Sequence, residues 1–433
     1  MTTPALLPAL EDLRVAVIGL GYVGLPLTVE FGKQRDTVGF DLHAGRVAEL
    51  QAGRDSTGEV EDAALAAAQH VRYTTDLADI ADCNVYIVAV PTPIDQHRQP
   101  NLEPLLSASR MIGSVLKRGD IVVFESTVYP GATEEDCLPL VAAGSGLILN
   151  TDFYAGYSPE RINPGDKTRP LPKIVKVTSG STPEAAQLID ALYGTIITAG
   201  THLAPSIRVA EASKVIENTQ RDVSIALINE LSIIFSHLDI DTNAVLDAAA
   251  TKWNFNRLSP GLVGGHCIGV DPYYLVHKSI AAGHIPDIIR MAREINDGMA
   301  RHAVTLLIKK MIQKEARVNG GRVLLLGLTF KENCADTRNT KVLDMLDDLQ
   351  SYGLSVDMFD PWADHGEVRD VYGVEMTVDM PAPAGDYDAV VLAVSHDRLV
   401  ALGANGLRAY LAPNGVFFDM KAVFDQSESD LRL

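Results

Sequence analysis

The stretch LRVAVIGLGYVGLPLTVEFG, residues 13–32, decides the fold of the first part of this chain. An apolar run of strand length leads into Gly19, Gly21 and Gly24, spaced G-x-G-x-x-G, and a helical pattern follows. In this context the glycines allow a tight turn, close approach of the backbone to a pyrophosphate and close packing of helix on strand. The helix N-terminus favours an anion. The motif predicts a dinucleotide-binding α/β domain, and the alternative of a glycine turn without a ligand is disfavoured by the full context.

The nature of the dinucleotide is indicated by Asp41, which ends the next predicted strand, TVGFD, about 20 residues further on. A carboxylate there binds the adenosine ribose diol and disfavours a 2′-phosphate. We therefore predict that NAD is preferred over NADP. Arg46 lies close by in the sequence and could weaken that preference.

Length and composition are those of an ordinary globular protein with two or three domains, since 47% of the 433 residues are hydrophobic and 21% are charged. The net charge of −19 disfavours nucleic acid and anionic membrane surfaces as partners. A phosphate-bearing ligand must therefore meet local Lys and Arg side chains.

The four cysteines are far apart and form no C-x-x-C pair, so neither a metal site nor a disulfide framework is predicted. The first residues lack a basic segment, and no apolar run reaches ~18 residues. We therefore expect no signal peptide, no transmembrane span and a cytoplasmic protein.

Further along the chain, NVYIVAVPTP and DIVVFEST are apolar runs of strand length, and strands alternating with helices indicate a parallel sheet. After the NGG at 319–321 the pattern returns: RVLLLGLTFK, VDMFDP, AVVLAVSHD and VFFDMK echo the earlier strands. We predict an α/β fold with two Rossmann-like doubly wound parallel-sheet domains joined by a long central helix. The second domain lacks the triple glycine, so it should hold its ligand differently.

The joining helix is predicted over residues 206–238, which contain no Gly or Pro and carry apolar residues at helical spacing. One helix of about 30 residues would be about 45 Å long. We expect it to connect the domains and to form the interface of a homodimer. The alternative is two helices broken near Thr219.

A candidate reactive thiol lies in GGHCIGVDPYY, residues 264–274. A lone Cys is usually a small buried hydrophobe. The glycines around Cys267 are poor core fillers and allow close approach of a ligand, which favours a functional role. Lys214 and Asn218 share a face of the long helix, although a solvated lysine is the ordinary alternative for Lys214. The other partly similar thiol, Cys334, lacks this context and is interpreted as structural.

Polar loops follow two of the predicted strands, in FESTVYPG and YSPERINPGDK. Polar residues at the carboxyl edge of a parallel sheet face the ligand crevice, so Thr127 and Glu160 are site candidates. The alternatives are a turn Thr and a surface Glu. In GLTFKENCADTRN, Lys331 and Arg338 are candidates for phosphate contacts in an otherwise acidic protein.

Over nearly its whole length the chain resembles the UDP-glucose and GDP-mannose dehydrogenase family. The resemblance is carried, in order, by VIGLGYVGLP, FESTVYPG, YSPER, EASKVIENTQRD, VGGHCIGVD and GLTFKENCADTRN. The forms SPERINPGDK and GGHCIGVDPYYL are most similar to the branch that oxidises UDP-N-acetylhexosamines for bacterial surface polysaccharides, such as capsule and O-antigen. His266 argues against the plain UDP-glucose branch.

The resemblance implies an NAD-dependent, four-electron oxidation of a sugar C6 hydroxyl to a carboxylate, using two NAD and one water. Cys267 matches the nucleophile of the family. Lys214, Asn218 and Asp271 match groups that organise water and the oxyanion. Thr127 matches a residue near that water, and Glu160 a carboxylate assigned to base work. Some relatives carry a further carboxylate where this chain has Pro164, so that role falls on Glu160 or water.

The resemblance also implies three regions: 1–204 for NAD, 205–315 for the central helices and dimer interface, and 316–433 for the UDP-sugar. The cofactor contacts that we expect are Gly19, Gly21, Tyr22, Val23, Gly24, Asp41, Arg46, Val90, Thr92, Thr127 and Arg338. The substrate contacts that we expect are Glu160, Arg161, Lys214, Asn218, Asn256, Arg257, Leu258, Ser259, Gly264, Phe330 and Lys331.

The chemistry explains why a cysteine is needed. Oxidising an alcohol requires only a base and a hydride acceptor. Oxidising the aldehyde requires an adduct that can lose hydride, and a thiolate supplies it as a thiohemiacetal that becomes a thioester. Lys214 would favour the thiolate and the oxyanion. A two-electron dehydrogenase of the 6-phosphogluconate or 2-hydroxyacid type, a UDP-glucose 6-dehydrogenase and a redox sensor without turnover remain as alternatives.

Overall fold

The computed structural model describes residues 5–95, 97–162, 168–265 and 267–433. The chain forms two compact units, and each is made of two separate chain segments. The first unit comprises Met1–Glu217 and Tyr273–His284, and the second comprises Asn218–Pro272 and Ile285–Leu433.

The first unit contains a six-stranded, fully parallel sheet in the order β3-β2-β1-β4-β5-β6. Its strands are β1 Val15–Ile18, β2 Thr37–Phe40, β3 Val71–Thr74, β4 Val85–Val88, β5 Ile121–Phe124 and β6 Tyr154–Tyr157. This is the strand order of the doubly wound dinucleotide-binding fold, and the predicted fold class is confirmed. The half-exposed edge strand β3 was not predicted, because its sequence VRYT lacks a continuous apolar run.

Helices and a small second sheet complete this unit. The helices are α1 Gly24–Gly32, α2 Ala44–Gln51, α3 Asp62–Ala67, α4 Glu103–Gly113, α5 Leu138–Ser145 and α6 Pro183–Gly194. A parallel pair is formed by β7 Lys176–Thr178 and β8 Thr201–Leu203. Shorter helical turns are Leu10–Asp12, Leu77–Ile80, Thr133–Cys137 and Leu171–Lys173. Strands β1, β4, β5 and β6 are buried along their whole length, as expected for a parallel sheet with both faces covered.

The predicted long helix is a single element, α7 Ile207–Leu238, of 32 residues. At 1.5 Å per residue its length is about 48 Å. The alternative of two helices broken near Thr219 is therefore wrong. The absence of Gly and Pro explains why the helix continues through this position.

The second unit contains a five-stranded parallel sheet in the order β10-β9-β11-β12-β13. Its strands are β9 Arg322–Leu326, β10 Ser355–Phe359, β11 Tyr387–Leu392, β12 Leu411–Asp419 and β13 Leu431–Arg432. The order around β9 repeats the order around β1, but the described residues add no edge strand equivalent to β3 to this sheet. This arrangement, 2-1-3-4-5, is the other common doubly wound order.

The remaining helices are α8 Thr242–Ala250, α9 Asp271–Ala281, α10 Asp287–Gln313, α11 Val342–Ser351, α12 His365–Tyr372, α13 Asp397–Val400 and α14 Gly403–Arg408, with a short turn at Gln426–Glu428. Helices α10 and α11 pack apolar side chains against the second sheet to form the main core of that unit. Within the described ranges, no helix has both the length and the apolar character needed to span a membrane.

Candidate active site

The glycine turn after β1 has the geometry that a dinucleotide requires. Gly19 has a φ of +92°, and a Cβ there would lie 2.9 Å from the carbonyl oxygen of Ala89. A Cβ on Gly24 would lie 1.8 Å from the carbonyl oxygen of Gly19, so helix and strand could not pack as they do. A Cβ on Gly21 would meet nothing within 4 Å. Gly19 and Gly24 are therefore packed too closely to accept a side chain. Gly21 has free space beside it, where a pyrophosphate can approach the backbone.

Asp41, at the end of the next strand, binds the backbone of this turn. Its Oδ2 accepts a hydrogen bond of 2.8 Å from Leu20 N–H, and its Oδ1 accepts one of 2.9 Å from His43 N–H. A carboxylate oxygen can accept more than one hydrogen bond, so Asp41 retains capacity for ribose hydroxyls. Its position at the carboxyl end of β2 fits the predicted role.

Arg46 supports the same turn from α2. Its Nε donates to the carbonyl oxygen of Leu20 at 2.9 Å, and its guanidinium pairs with Asp55 at 2.8 Å. These contacts within the protein give Arg46 a structural function. Its predicted contact with NAD remains a prediction.

The loops after β4 and β5 lie beside the glycine turn. A Cβ on Gly19 would be 3.2 Å from Val90 N, which brings Val90 to the turn. Thr92 Oγ1 donates to the carbonyl oxygen of Thr127 at 2.7 Å, and the Tyr274 hydroxyl donates to the backbone carbonyl oxygen of Thr92 at 2.8 Å. Val90 therefore lies at the glycine turn, and a hydrogen bond links Thr92 to Thr127. Near α1, Tyr22 is half-buried and Val23 packs against the core.

Glu160, after β6, belongs to a buried charged cluster that sequence reasoning missed. Lys176 Nζ lies 3.1 Å from Glu160 Oε2 and 2.6 Å from Glu125 Oε2, and the Tyr193 hydroxyl donates to Glu125 Oε1. The alternative of a surface Glu at 160 is wrong, since the residue is buried. A sequence signal did exist at Glu125, a charged residue directly after the fully buried strand β5.

Burial sets the protonation of this cluster. It raises the pKa of Glu125 to about 7, an effect that Lys176 opposes. Burial alone would lower the pKa of Lys176, but Glu125 and Glu160 outweigh it and raise that pKa above its ordinary value. Lys176 is therefore an ammonium over the physiological pH range.

The loop after β6 is tied to α7. Glu160 Oε1 accepts from the N–H groups of Arg161 and Ile162 at 2.5 and 2.6 Å. The Arg161 guanidinium pairs with Glu217 at 2.8 Å. Glu217 lies three residues after Lys214, whose exposure is only 8%. The alternative of a solvated helix lysine at 214 is therefore wrong.

In the second unit, Cys267 opens the turn that leads into α9. Its carbonyl oxygen accepts from Val270 N–H at 3.0 Å and from Asp271 N–H at 2.8 Å. Asn218 Nδ2, on α7, donates to Asp271 Oδ2 at 2.5 Å, and both side chains are buried. The structure thus brings Asn218 and Asp271 together at this turn, as the predicted site requires.

Cys267 is more exposed to solvent than Cys83 and Cys137. Cys83 and Cys137 are buried, and burial raises the pKa of their thiols to about 11 and about 12. These two are the inert, structural thiols that a lone Cys usually represents. Cys267 is partly exposed, as is Cys334.

The Gly264–Gly265 pair packs against the loop after β9. A Cβ on Gly264 would lie 2.9 Å from the carbonyl oxygen of Asn339, and one on Gly265, at a φ of +82°, would lie 2.9 Å from the Phe330 ring. The predicted substrate contacts Gly264 and Phe330 therefore lie together, directly before Lys331. They line a small pocket with Leu262, Thr329, Glu332, Thr340, Lys341, Val342, Ala393, Val394 and Lys421.

The segment that precedes this loop is held by interactions that sequence reasoning did not find. Asn229, on α7, makes two hydrogen bonds with the backbone of Gly261, at 2.8 and 3.0 Å. Arg257 donates to Asp247 at 2.8 Å and to Ser259 Oγ at 3.2 Å. Among the predicted substrate contacts, Asn256, Arg257 and Ser259 are exposed and Leu258 is partly exposed.

Arg338 lies in the second unit, where its Nε donates to Asp336 at 2.9 Å, and its contact with NAD remains a prediction. His266 and Pro164 lie outside the described residues. In the part of the chain that the structure describes, no group of three or more His, Cys, Asp or Glu side chains could hold a metal ion.

Three consecutive regions of the chain match the three domains of one protein family. Residues 13–197 match the NAD-binding domain of the UDP-glucose/GDP-mannose dehydrogenase family, residues 208–298 its central domain and residues 324–426 its UDP-binding domain. This chain belongs to the UDP-glucose/GDP-mannose dehydrogenase family. As a member, it is an NAD-dependent enzyme that oxidises a UDP-sugar. The predicted family, cofactor and class of substrate are confirmed.

Individual relatives are similar over almost their whole length. UDP-N-acetyl-D-glucosamine 6-dehydrogenase of Pseudomonas aeruginosa is 58% identical over 98% of this chain and 100% of its own. The enzyme of the same name from Salmonella typhi is 53% identical over 98% and 99%. The solved structure of UDP-D-ManNAc dehydrogenase from Pyrococcus horikoshii has a TM-score of 0.85 at 28% identity, covering 96% of each chain.

Proposed function

We propose that this dehydrogenase converts the C6 hydroxyl of UDP-N-acetyl-D-glucosamine into a carboxylate. The assignment of this sugar is supported by the 58% identity, over 98% of this chain, to a relative named for that reaction. UDP-N-acetyl-D-galactosamine differs in the configuration of one hydroxyl and is the second candidate. The reaction consumes two NAD⁺ and one water and releases two NADH and three protons. Its product would serve the synthesis of a bacterial surface polysaccharide.

The first half of the proposed reaction takes the alcohol to an aldehyde. Glu160 receives the hydroxyl proton, directly or through a water near Thr127. Its Oε1 accepts two backbone hydrogen bonds, which support a fixed orientation of this carboxylate as the proton acceptor. Bound NAD supplies the hydride acceptor. The open face at Gly21 and the carboxylate of Asp41 support its binding in the first unit.

In the second half, the Cys267 thiolate adds to the aldehyde carbon to give a thiohemiacetal. Loss of hydride leaves a thioester, and water then releases the carboxylate and returns the thiol. Lys214 stabilises the oxyanion, and the Asn218–Asp271 pair organises the water. The observation that supports this assignment is that the hydrogen-bonded Asn218–Asp271 pair meets the turn that Cys267 opens.

The test is a panel of UDP-sugars with NAD, in which NADH per sugar and product mass are both measured. We expect two NADH per UDP-N-acetyl-D-glucosamine and the mass of the uronic acid. One NADH per sugar would instead support the two-electron dehydrogenase. A preference for UDP-glucose would identify the other branch of the family, and cofactor binding without turnover would support the redox sensor.

We also propose a cytoplasmic homodimer that packs along α7. One face of this helix carries large apolar side chains that are exposed, at positions that recur within about 40° of rotation around its axis. They are Val209, Ile216, Leu227, Ile234 and Leu238. Burial of such a stripe against a second copy would remove it from water. The four cysteines, which lie far apart in the sequence without a C-x-x-C pair, are consistent with a reducing compartment.

A further inference from the structure

Lys176 is a charged side chain that the reaction proposed above does not use. It begins β7, and only 2% of its side chain is exposed. An ammonium in such a position is stable only when it is paired and hydrogen-bonded. Its partners are Glu125 and Glu160, which follow two neighbouring strands of the main sheet, β5 and β6. The ammonium is therefore the link between two carboxylates at the carboxyl edge of that sheet.

The two partners differ in what else they contact. Glu125 Oε1 accepts from the Tyr193 hydroxyl on α6, and the Glu125 side chain is fully buried. This end of the cluster acts as an anchor. Glu160 Oε1 accepts from two backbone N–H groups, at 2.5 and 2.6 Å, so Oε2 is the oxygen that faces Lys176. Together, the backbone and Lys176 determine the orientation of the Glu160 carboxylate.

We propose that Lys176, anchored by Glu125 and Tyr193, is a positioning residue that orients Glu160 and places a compensating positive charge beside it. The inference rests on the proposed function, in which Glu160 accepts the proton of the sugar hydroxyl. A base of this kind must be unprotonated when the alcohol binds and must point at one place. Lys176 supplies both conditions without contacting the substrate itself.

Among the described residues, three side chains face the Lys176 ammonium, and they determine how the charge of the cluster changes when the ammonium is removed. These are Glu125 after β5, Glu160 after β6 and Tyr193 on α6, while Arg161 beyond them pairs with Glu217. Without Lys176, two buried carboxylates would share one site with no cation to separate them. One of the two then binds a proton at a higher pH than before, because like charges and burial both disfavour ionisation.

The experiment compares Lys176→Met with a matched control, Lys173→Met, which removes an exposed lysine three residues earlier. We expect Lys176→Met to lower kcat more than it changes KM for the UDP-sugar. The acid limb of its kcat/KM profile should move upward by roughly one to three pH units. Lys176→Arg, which keeps the charge, should recover part of both. The profile of Lys173→Met should match that of the wild type.

A charge-balanced variant covers the case in which Lys176→Met does not fold. Lys176→Met with Glu125→Gln removes the ammonium together with the carboxylate that would repel Glu160. We expect it to be folded, with reduced kcat and an acid limb between those of the wild type and Lys176→Met. A folded Lys176→Met or double variant with the kcat and acid limb of the wild type would overturn the proposal.

Infrared difference spectroscopy separates this proposal from the function on which it rests. A protonated-carboxyl band that persists at about pH 9 in Lys176→Met and is absent from the wild type at that pH, which lies above the pKa of about 7 that burial gives Glu125, supports the role of Lys176 independently of turnover. Its absence, together with an unshifted acid limb, overturns that role. If the band is present but Glu160→Gln retains the full rate, Lys176 still controls the charge of the cluster and the assignment of Glu160 as base is wrong.

Discussion

Asp41 and Asp360 make the same backbone hydrogen bond in two different sheets. Each follows the strand beside the first strand of its sheet, and each accepts from the N–H of the residue after a glycine of positive φ. These bonds are Leu20 N–H to Asp41 at 2.8 Å and Leu328 N–H to Asp360 at 2.6 Å. The sequence similarity between the two domains therefore corresponds to a structural similarity, which includes this carboxylate and its hydrogen bond.

The environments of the two carboxylates differ. Asp41 is partly exposed, whereas Asp360 is buried and also accepts from the N–H groups of Trp362 and Ala363 and from His396 Nε2 at 2.9 Å. Asp360 is thus enclosed by protein donors and has no access to a ribose. This difference supports the prediction that the second domain holds its ligand differently from the first.

Replacement of Asp360 should destabilise the protein in a pH-dependent way. Burial alone would raise the pKa of Asp360, but hydrogen bonds from His396, Leu328 and Thr329 hold it well below its usual range. Its stabilising contribution is thus present above the ordinary pKa of Asp and lost as pH falls through the depressed value. We expect Asp360→Asn to lose about 1.5–3 kcal/mol at pH 7 and less below about pH 4.

Urea unfolding of the wild type and of Asp360→Asn, at pH 7 and below about pH 4, measures the loss of unfolding free energy at each pH. Asp379→Asn, at an exposed position, is the matched control and should have little effect. An equal loss of stability at the two pH values would contradict the assignment of the depressed pKa to Asp360.

Cofactor choice should follow the position of Asp41. Its carboxylate would repel a 2′-phosphate, so we expect NAD to be preferred over NADP by roughly a hundredfold or more in kcat/KM. Asp41→Asn should narrow that ratio, whereas Asp36→Asn, at the exposed opposite end of β2, should not. Steady-state kinetics with both cofactors test the prediction. A wild-type preference for NADP would refute it and would make Arg46 the residue to examine.

Cys267→Ser should lose net acid formation by several orders of magnitude and still bind NAD, because a serine hydroxyl does not replace the thiolate in the thioester route. Product mass after long incubation and NAD titration by fluorescence measure the two effects. Cys334→Ser is the matched control, since Cys334 is also partly exposed. Normal acid production by Cys267→Ser would exclude the covalent route.

Lys331→Ala should weaken UDP-sugar binding far more than NAD binding. A charge-assisted contact of the kind that we expect is worth roughly 1.5–3 kcal/mol, or a factor of about 10 to 150 in Kd. Calorimetry with each ligand measures both constants. Lys309→Ala, an exposed lysine on α10, serves as the control. An unchanged sugar Kd for Lys331→Ala would place the nucleotide-sugar elsewhere.

The proposed dimer can be tested on the exposed apolar face of α7. Leu227→Glu should convert the dimer into a monomer, because the interface would have to bury an unpaired carboxylate. Light scattering after size-exclusion chromatography measures the mass. Val378→Glu adds the same charge at another exposed apolar position and should leave the mass unchanged. A monomeric wild type would contradict the proposal.

Local patterns in the sequence predicted much of the fold and part of the site. The turn from Gly19 to Gly24, the strand that ends at Asp41 and the helix from 207 to 238 are each determined within a short segment. The second sheet was predicted because its sequence repeats the first. Edge strand β3 could not be recognised, since half of its surface faces solvent and its sequence alternates without a clear apolar run.

The interactions that sequence reasoning missed are those between distant segments. Lys176 pairs with residues 51 and 16 positions away, and no periodicity links them. In the same way, Asn229 holds Gly261 across 32 positions. The family resemblance implies a cofactor contact for Arg46, but the partners of its guanidinium within the protein are visible only in the folded chain.

The continuous helix α7 has a consequence for how this chain can be divided. Its 32 residues extend across the point where one compact unit ends and the next begins, and Tyr273–His284 returns to the first unit after a segment of the second. A fragment ending at Glu217 would therefore expose a cut helix end and would lack the Tyr274 hydroxyl that binds the Thr92 carbonyl. Each compact unit is thus assembled from two stretches of chain, and a cut at any single position cannot separate one unit from the other without removing part of one of them.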